Sequence, residues 1–454
     1  MMKLLIKIVY FLVVTSLFVL GFYQNEWQAI SDDEVVYRRD VSEIYIMGRL
    51  VKSRQSGIFS AGGLLGIGDV AVGGYERRVI ENQNRKYNKG TDFSKFWTYK
   101  SHPGFQGVIY STFDAWTNFA PSTNLFVFRL GISLFLSMIL SAFCLWVISE
   151  LGWLASISVA IYILISKWLA LLGGNLFWSL WSFYLPLLVI SIWLRTNEGL
   201  DNARWMFRFS VIVFVLSLVK ILFSGFEFIT SALLMTTVPF VYYAVLNRWK
   251  KDIFIGRMIS LSISLVGSVL VGLAVLCIQI KMDLGSFQKA VNHIIFSWNN
   301  RTYGSEFIAT GKAATMGDVI ERTTEVIRIY IDGYAFSLSN RLPTNMLWAK
   351  DLVDGRYSYL LILFAIATCM IFVLNSFSKK ANTDRKGLAL VVTTWYSILG
   401  PLSWLLIFRD HAFGHAVLDF IVWQMPFTLY GFALVGFSLS SLIKLKYQVT
   451  RTDV

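Results

Sequence analysis

The chain has 454 residues, of which 56% are apolar and only 15% charged, and its mean hydropathy is +0.58. Soluble proteins carry roughly a quarter charged residues, so this composition excludes a water-soluble globular fold. The excess of 41 Lys and Arg over 28 Asp and Glu gives a net charge of +13, yet no stretch resembles a groove-reading element. No nucleic-acid partner is expected, and topology and anionic lipid account for the basic residues.

The apolar residues fall in runs of about twenty, long enough to cross a hydrocarbon core of ~30 Å. The first run, 4–23, follows Met1-Met2-Lys3. Its flank Gly21-Phe22-Tyr23-Gln24-Asn25 offers no small-x-small cleavage site, so it reads as an uncleaved anchor. Further spans are expected at 123–148, 153–172, 176–194, 209–224, 227–246, 257–280, 357–376, 387–407 and 419–442. The expected fold class is all-α, a single polytopic transmembrane domain over 1–454 with about ten helices. Two long loops, 24–122 and 281–356, contain short helices of their own. Cys144, Cys277 and Cys369 lie scattered inside apolar runs and read as packing residues rather than as a disulfide framework or metal site.

Lys and Arg gather on the cytoplasmic side of short loops. With the N-terminus inside, the inner loops hold Arg195, Arg204 and Arg208; Arg248, Lys250, Lys251 and Arg257; and Lys379, Lys380, Arg385 and Lys386. The tail adds Lys444, Lys446 and Arg451, whereas the outer turns Gly173-Gly174-Asn175 and Ser224-Gly225-Phe226 hold none. Both termini are therefore expected in the cytoplasm and both long loops outside. Val41, Ile44, Tyr45, Met47, Leu50 and Val51 form a helical apolar face in the first loop. Phe287, Val291, Ile294, Ile295 and Trp298, and then Val319, Ile320, Val326, Ile327 and Tyr330, do so in the second. Simple packing explains these faces as well as an interfacial location does.

Ionisable residues in or beside spans are costly in lipid and often functional. Lys167 comes late in one outward-going span and Lys220 late in the next, with Glu227 opening the return. Arg409, Asp410, His411 and His415 fill the last outer connection, and all four histidines, with His102 and His293, lie on the outer side. The plain alternative for each is a snorkelling side chain or a structural ion pair. Asp32-Asp33-Glu34 follows the first span directly. An acidic triplet is usually a solvated turn, but here it is held at the interface, where carboxylates could act as a general base or orient a metal or hydroxyl. His102-Pro103-Gly104-Phe105 opens an apolar stretch toward Tyr110. Asn300-Arg301-Thr302 matches a glycosylation sequon of little weight.

Taken together, Asp32-Asp33-Glu34 with Tyr37, His102-Pro103, Ser224-Gly225-Phe226-Glu227-Phe228-Ile229, and Arg409-Asp410-His411-Ala412-Phe413-Gly414-His415 before Trp423 and Pro426 resemble segments of the GT-C superfamily of integral membrane glycosyltransferases. The resemblance is greatest to bacterial enzymes that modify surface glycans, such as O-antigen glucosyltransferases acting on lipopolysaccharide. It implies transfer of a sugar, with inversion, from a polyprenyl-phosphate donor to a glycan acceptor outside a bacterial inner membrane. By resemblance Asp33 is favoured as the base, with Asp32 and Glu34 as alternatives. Lys167, Lys220, Glu227, His102, Arg409, His411 and His415 would serve the donor phosphate or substrate. The family's basic element is followed by two prolines, where this chain has Pro103-Gly104. Some members use a divalent cation and others none, and these residues leave both open. A glycan polymerase or ligase would instead concentrate its residues in the late outer loop, at Arg301, Arg322, Arg328 and Arg341. A lipid-linked sugar flippase would show repeated halves and midplane polar groups, which are not seen.

Overall fold

The computed structural model describes all residues except Met1, 70–75, 197–202, 311–314, 343–345, 347–349, 378–380, 417 and 453–454. The chain begins with α1 (Met2–Gln24) and α2 (Asp32–Ser56), then β1 (Gly66–Gly68), α3 (Glu76–Lys89), β2 (Phe96–Thr98) and α4 (Phe105–Trp116). A helical run follows: α5 (Pro121–Leu151), α6 (Trp153–Ile165), α7 (Lys167–Gly173), α8 (Trp181–Thr196), α9 (Ala203–Ser224), α10 (Ile229–Leu246) and α11 (Lys251–Leu284). The second long segment holds α12 (Phe287–Thr310), α13 (Met316–Asp332), β3 (Tyr334–Phe336), α14 (Lys350–Val353) and β4 (Gly355–Arg356). The chain ends with α15 (Tyr357–Phe377), α16 (Ala381–Ser397), α17 (Leu399–Ile407), α18 (Arg409–Gly414) and α19 (Phe427–Thr452). β1 pairs with β2 and β3 with β4, each as a two-stranded antiparallel ribbon.

The protein is thus an all-α polytopic membrane protein. Among the described residues, eight helices are long and apolar enough to cross a bilayer. The other two expected spans are shorter. The run 153–172 breaks at Ser166, whose hydroxyl accepts from Leu169 N at 3.4 Å and whose backbone bridges to Phe336. Lys167 therefore opens α7 rather than ending a continuous span. The run 176–194 becomes helical only at Trp181, because Asn175 turns its side chain back to accept from the amides of Phe177 and Trp178. The last expected span likewise starts later, at Phe427, after a short 3-10 turn over Asp419–Gln424.

Membrane helices approach closely where residues are small. A Cβ on Gly436 of α19 would lie 2.5 Å from the carbonyl oxygen of Leu154 in α6. Cys144 and Cys277 are buried as packing residues, but Cys369 is exposed on α15, a correction explained by its place on the outer face of a peripheral helix.

Both long segments pack on the same end of the bundle. The apolar face read in the first segment lies in α2, a helix of 25 residues that buries Ile44, Met47, Leu50 and Val51. Asp114 anchors this segment, accepting from Arg54 at 2.7 and 2.8 Å, Tyr87 at 2.6 Å and Asn124 at 2.8 Å. The fully buried Arg49 orders the turn after α2 by donating to the carbonyls of Gly57, Ser60 and Leu64. The two segments meet where Thr98 and Lys100 reach Asp283 at 2.8 and 3.0 Å, and where Arg341 donates to the carbonyl of Trp27 at 2.6 Å.

Candidate functional site

The turn between α9 and α10 is built around Gly225, with φ +59°, and Phe228, with φ +50°. Lys220, in the last turns of α9, donates from Nζ to the carbonyls of Gly225 at 2.8 Å and Glu227 at 2.6 Å, beneath the ring of Phe183. A cavity of about 10 Å³, the scale of one water, adjoins the Lys220 stem between Ser217 and Thr236. The turn projects the Glu227 carboxylate, 4% exposed, into a centre supplied by four other parts of the chain.

Arg301 from α12 pairs with Glu227 Oε1 at 2.5 Å, and Tyr99 donates to the same oxygen at 3.3 Å. His411 Nε2 lies 3.7 Å from Oε2, and the His415 ring packs on His411 at 4.3 Å between centroids. His102 stands edge-on to Tyr99 and Phe177, with neither ring nitrogen hydrogen-bonded to any described residue. Asp419, also buried, accepts from Trp404 Nε1 at 2.8 Å, and the Trp404 ring is edge-on to His411.

Burial works against charge throughout this centre. It would raise the Glu227 pKa, but Arg301, His411 and His102 together outweigh it and hold that carboxyl down to about 2. Burial pushes His102 and His411 down to about 4 and lowers His415 as well. It raises Asp419 well above the usual carboxylate range. At neutral pH the centre therefore holds an ionised Glu227–Arg301 pair and neutral imidazoles, beside an Asp419 carboxyl that burial shifts toward its protonated form. Two carboxyls driven apart in this way have the form of an acid and a base, and neutral imidazoles can accept protons.

The remaining residues singled out from sequence lie elsewhere. Arg409 is buried against the ring of Tyr303, with its Nε 3.8 Å from Asp410, which also faces Arg322 at 3.6 Å. The acidic triplet forms the first turn of α2, where the helix dipole favours carboxylates. Asp32 Oδ1 accepts from Asn25 at 2.8 Å, and Glu34 pairs with Lys167 at 3.2 Å. Asp33 is exposed, and its carboxylate makes no hydrogen bond or ion pair with any described residue. Lys167 thus belongs with the triplet, not with Lys220, and among the described residues no hydrogen bond or ion pair joins the triplet to Glu227. Among the described residues no group of three or more His, Cys, Asp or Glu side chains could hold a metal ion.

Arg301 is the residue whose place the sequence reading undervalued. It continues the apolar face of Phe287, Val291, Ile294 and Trp298 at the same spacing, and a cation on an apolar stripe is itself a signal. Tyr99 and Asp419 carried no such mark. No known protein family, curated protein or solved structure matches the chain, so the reading of the site rests on its own geometry.

Proposed function

We propose that the protein transfers a sugar from a polyprenyl-phosphate donor to a glycan acceptor on the extracytoplasmic side of a bacterial inner membrane. The observation that carries this reading is the division within the triplet. Asp32 and Glu34 are held by Asn25 and Lys167, while the Asp33 carboxylate stays exposed at the start of α2, just beyond the first span. There a lipid headgroup and a water-borne acceptor can meet.

In this reading Asp33 takes the proton of the acceptor hydroxyl as its oxygen attacks the anomeric carbon. The carbon–oxygen bond to phosphate breaks, and its electron pair leaves with the lipid phosphate. Attack from the face opposite the leaving group inverts the anomeric centre. Lys167, held beside the triplet by Glu34, is the cation placed to balance charge on that phosphate. The Glu227 centre orders the two outer segments against the spans and supplies neutral imidazoles at the same end of the bundle.

A second reading, a polymerase or ligase of lipid-linked glycans, draws on Arg301, which comes from the late outer segment and occupies the buried centre. Surface-glycan mass analysis of cells carrying Asp32→Asn, Asp33→Asn and Arg301→Gln, with membrane abundance measured in parallel, separates the two. Glycosyl transfer with an Asp33 base predicts a loss of roughly a hundredfold or more in Asp33→Asn and a smaller loss in Asp32→Asn. Full transfer in both Asp variants, with transfer abolished in a normally abundant Arg301→Gln, overturns that assignment in favour of the second reading.

A further inference from the structure

A separate polar site lies where α1 and α5 reach the loop-bearing end. A cleft of about 310 Å³ is lined by Tyr23, Arg39, Asn88, Ser122, Phe126 and Arg129. Tyr23 is in the last turn of the span Leu4–Gln24, and Ser122 and Phe126 are in the first turns of the span Pro121–Leu151. The cleft therefore opens at the level of the bilayer surface, with the exposed Phe126 facing outward.

The charges around it are unequally satisfied. Arg129 gives Nε and Nη2 to Glu43 Oε2 at 3.0 and 2.5 Å, and the other Glu43 oxygen accepts from Leu176 N at 3.0 Å. Glu43 is fully buried and committed. The Arg39 guanidinium makes no hydrogen bond to any described residue, its Nε is buried, and its nearest carboxylate oxygen is that of Asp40 at 3.8 Å. Its side chain is 25% exposed. An ion-pair network that merely braces α2 against α5 explains Arg129 and leaves Arg39 without a role. A guanidinium with unused donors, beside a hydroxyl, an amide and an aromatic wall, is the chemistry that holds phosphate oxygens.

We propose that this cleft binds the phosphate headgroup of a membrane lipid, held chiefly by Arg39, with the lipid chain descending along Phe126. The proposal is independent of the reaction served by Asp33 or Glu227. The test uses the full chain, delipidated in detergent, with phosphatidylglycerol, a polyprenyl monophosphate, phosphatidylcholine and inorganic phosphate added separately. Binding is read by native mass spectrometry and thermal stabilisation.

At least one anionic lipid should bind tightly to wild type, at least tenfold more weakly to Arg39→Gln, and at an intermediate level to Arg39→Lys. Phosphatidylcholine should bind both forms alike. Should Arg39→Gln fail to fold, Ser122→Trp, which fills the cleft from its exposed rim, serves in its place. Equal anionic-lipid affinity in wild type and variant overturns the proposal. So does inorganic phosphate stabilising the protein as strongly as the lipid, which would assign the cleft to a free anion.

Discussion

Replacing Gly225 by alanine is the sharpest test of how the Glu227 centre is built. The glycine has φ +59°, and a Cβ there would sit 1.7 Å from His102 Cβ and 2.9 Å from its Cα. Restoring a contact of 3.4 Å requires an opening of about 1.7 Å. His102 cannot supply it easily, because it is 1% exposed and wedged against Tyr99 and Phe177. The left-handed backbone costs an alanine ~1 kcal/mol, and overpacking a tight site costs ~1–3 kcal/mol more. The expected loss is therefore about 2–4 kcal/mol, together with displacement of the carbonyls that hold Lys220. Gly90 is the matched control, with φ +64° and no atom within 4 Å of its Cβ position. Gly90→Ala should show the backbone strain alone, ~1 kcal/mol. Thermal unfolding of both variants in the same detergent is the assay. If Gly225→Ala is no less stable than Gly90→Ala, the close seating of His102 against this turn is wrong.

Three further outcomes follow from the same geometry. Glu227→Gln leaves the Arg301 guanidinium buried without its counter-charge, at a cost of about 3–5 kcal/mol. The double variant Glu227→Gln/Arg301→Met should recover much of the folded yield, and its failure to do so would show that Arg301 holds more than this one partner. Acid should weaken the fold. An unfolded histidine titrates near 6.5 and His102 at about 4, so between these values the unfolded chain binds more protons and stability drops as pH is lowered, by ~3 kcal/mol in full. Glu227, held down to about 2, adds a loss of the same sign below 4.5. Asp419, raised by burial, works in the opposite direction, so the scan is run on Asp419→Asn, where a thermal midpoint that rises from pH 7 to pH 5 would refute this. Glu34→Gln, by contrast, removes a partly exposed pair with Lys167 and should change stability by less than ~1 kcal/mol in a denaturation series.

The extent of the membrane bundle could be read from the chain alone, because each span must satisfy its own backbone and advertise about twenty apolar residues. The buried face of α2 was equally readable, since a helix repeats its buried positions locally, whereas the expected face of α12 leaves Phe287, Ile295 and Trp298 exposed and that of α13 buries only Val326 and Tyr330. Spans tucked inside the bundle were read less well. The 153–172 and 176–194 runs kept their apolar content but yielded helix to turns at Ser166 and Asn175, where neighbouring helices rather than lipid surround them.

The candidate site divides the same way. His102, Lys220, Glu227 and His411 stood out as ionisable groups beside spans, and the structure brings these four together. Local sequence had no means of showing that Arg301, about 74 positions from Glu227 in the chain, would be its partner, or that Asp419 would be buried beside Trp404. Nor could it show that Asp32 and Glu34 would be held by Asn25 and Lys167 while the Asp33 carboxylate stays exposed. Composition and periodicity decide where a chain meets lipid, since that depends on each segment's own residues. Which charges pair, and which are left for a ligand, depends on how distant segments dock, and only the tertiary structure decides it.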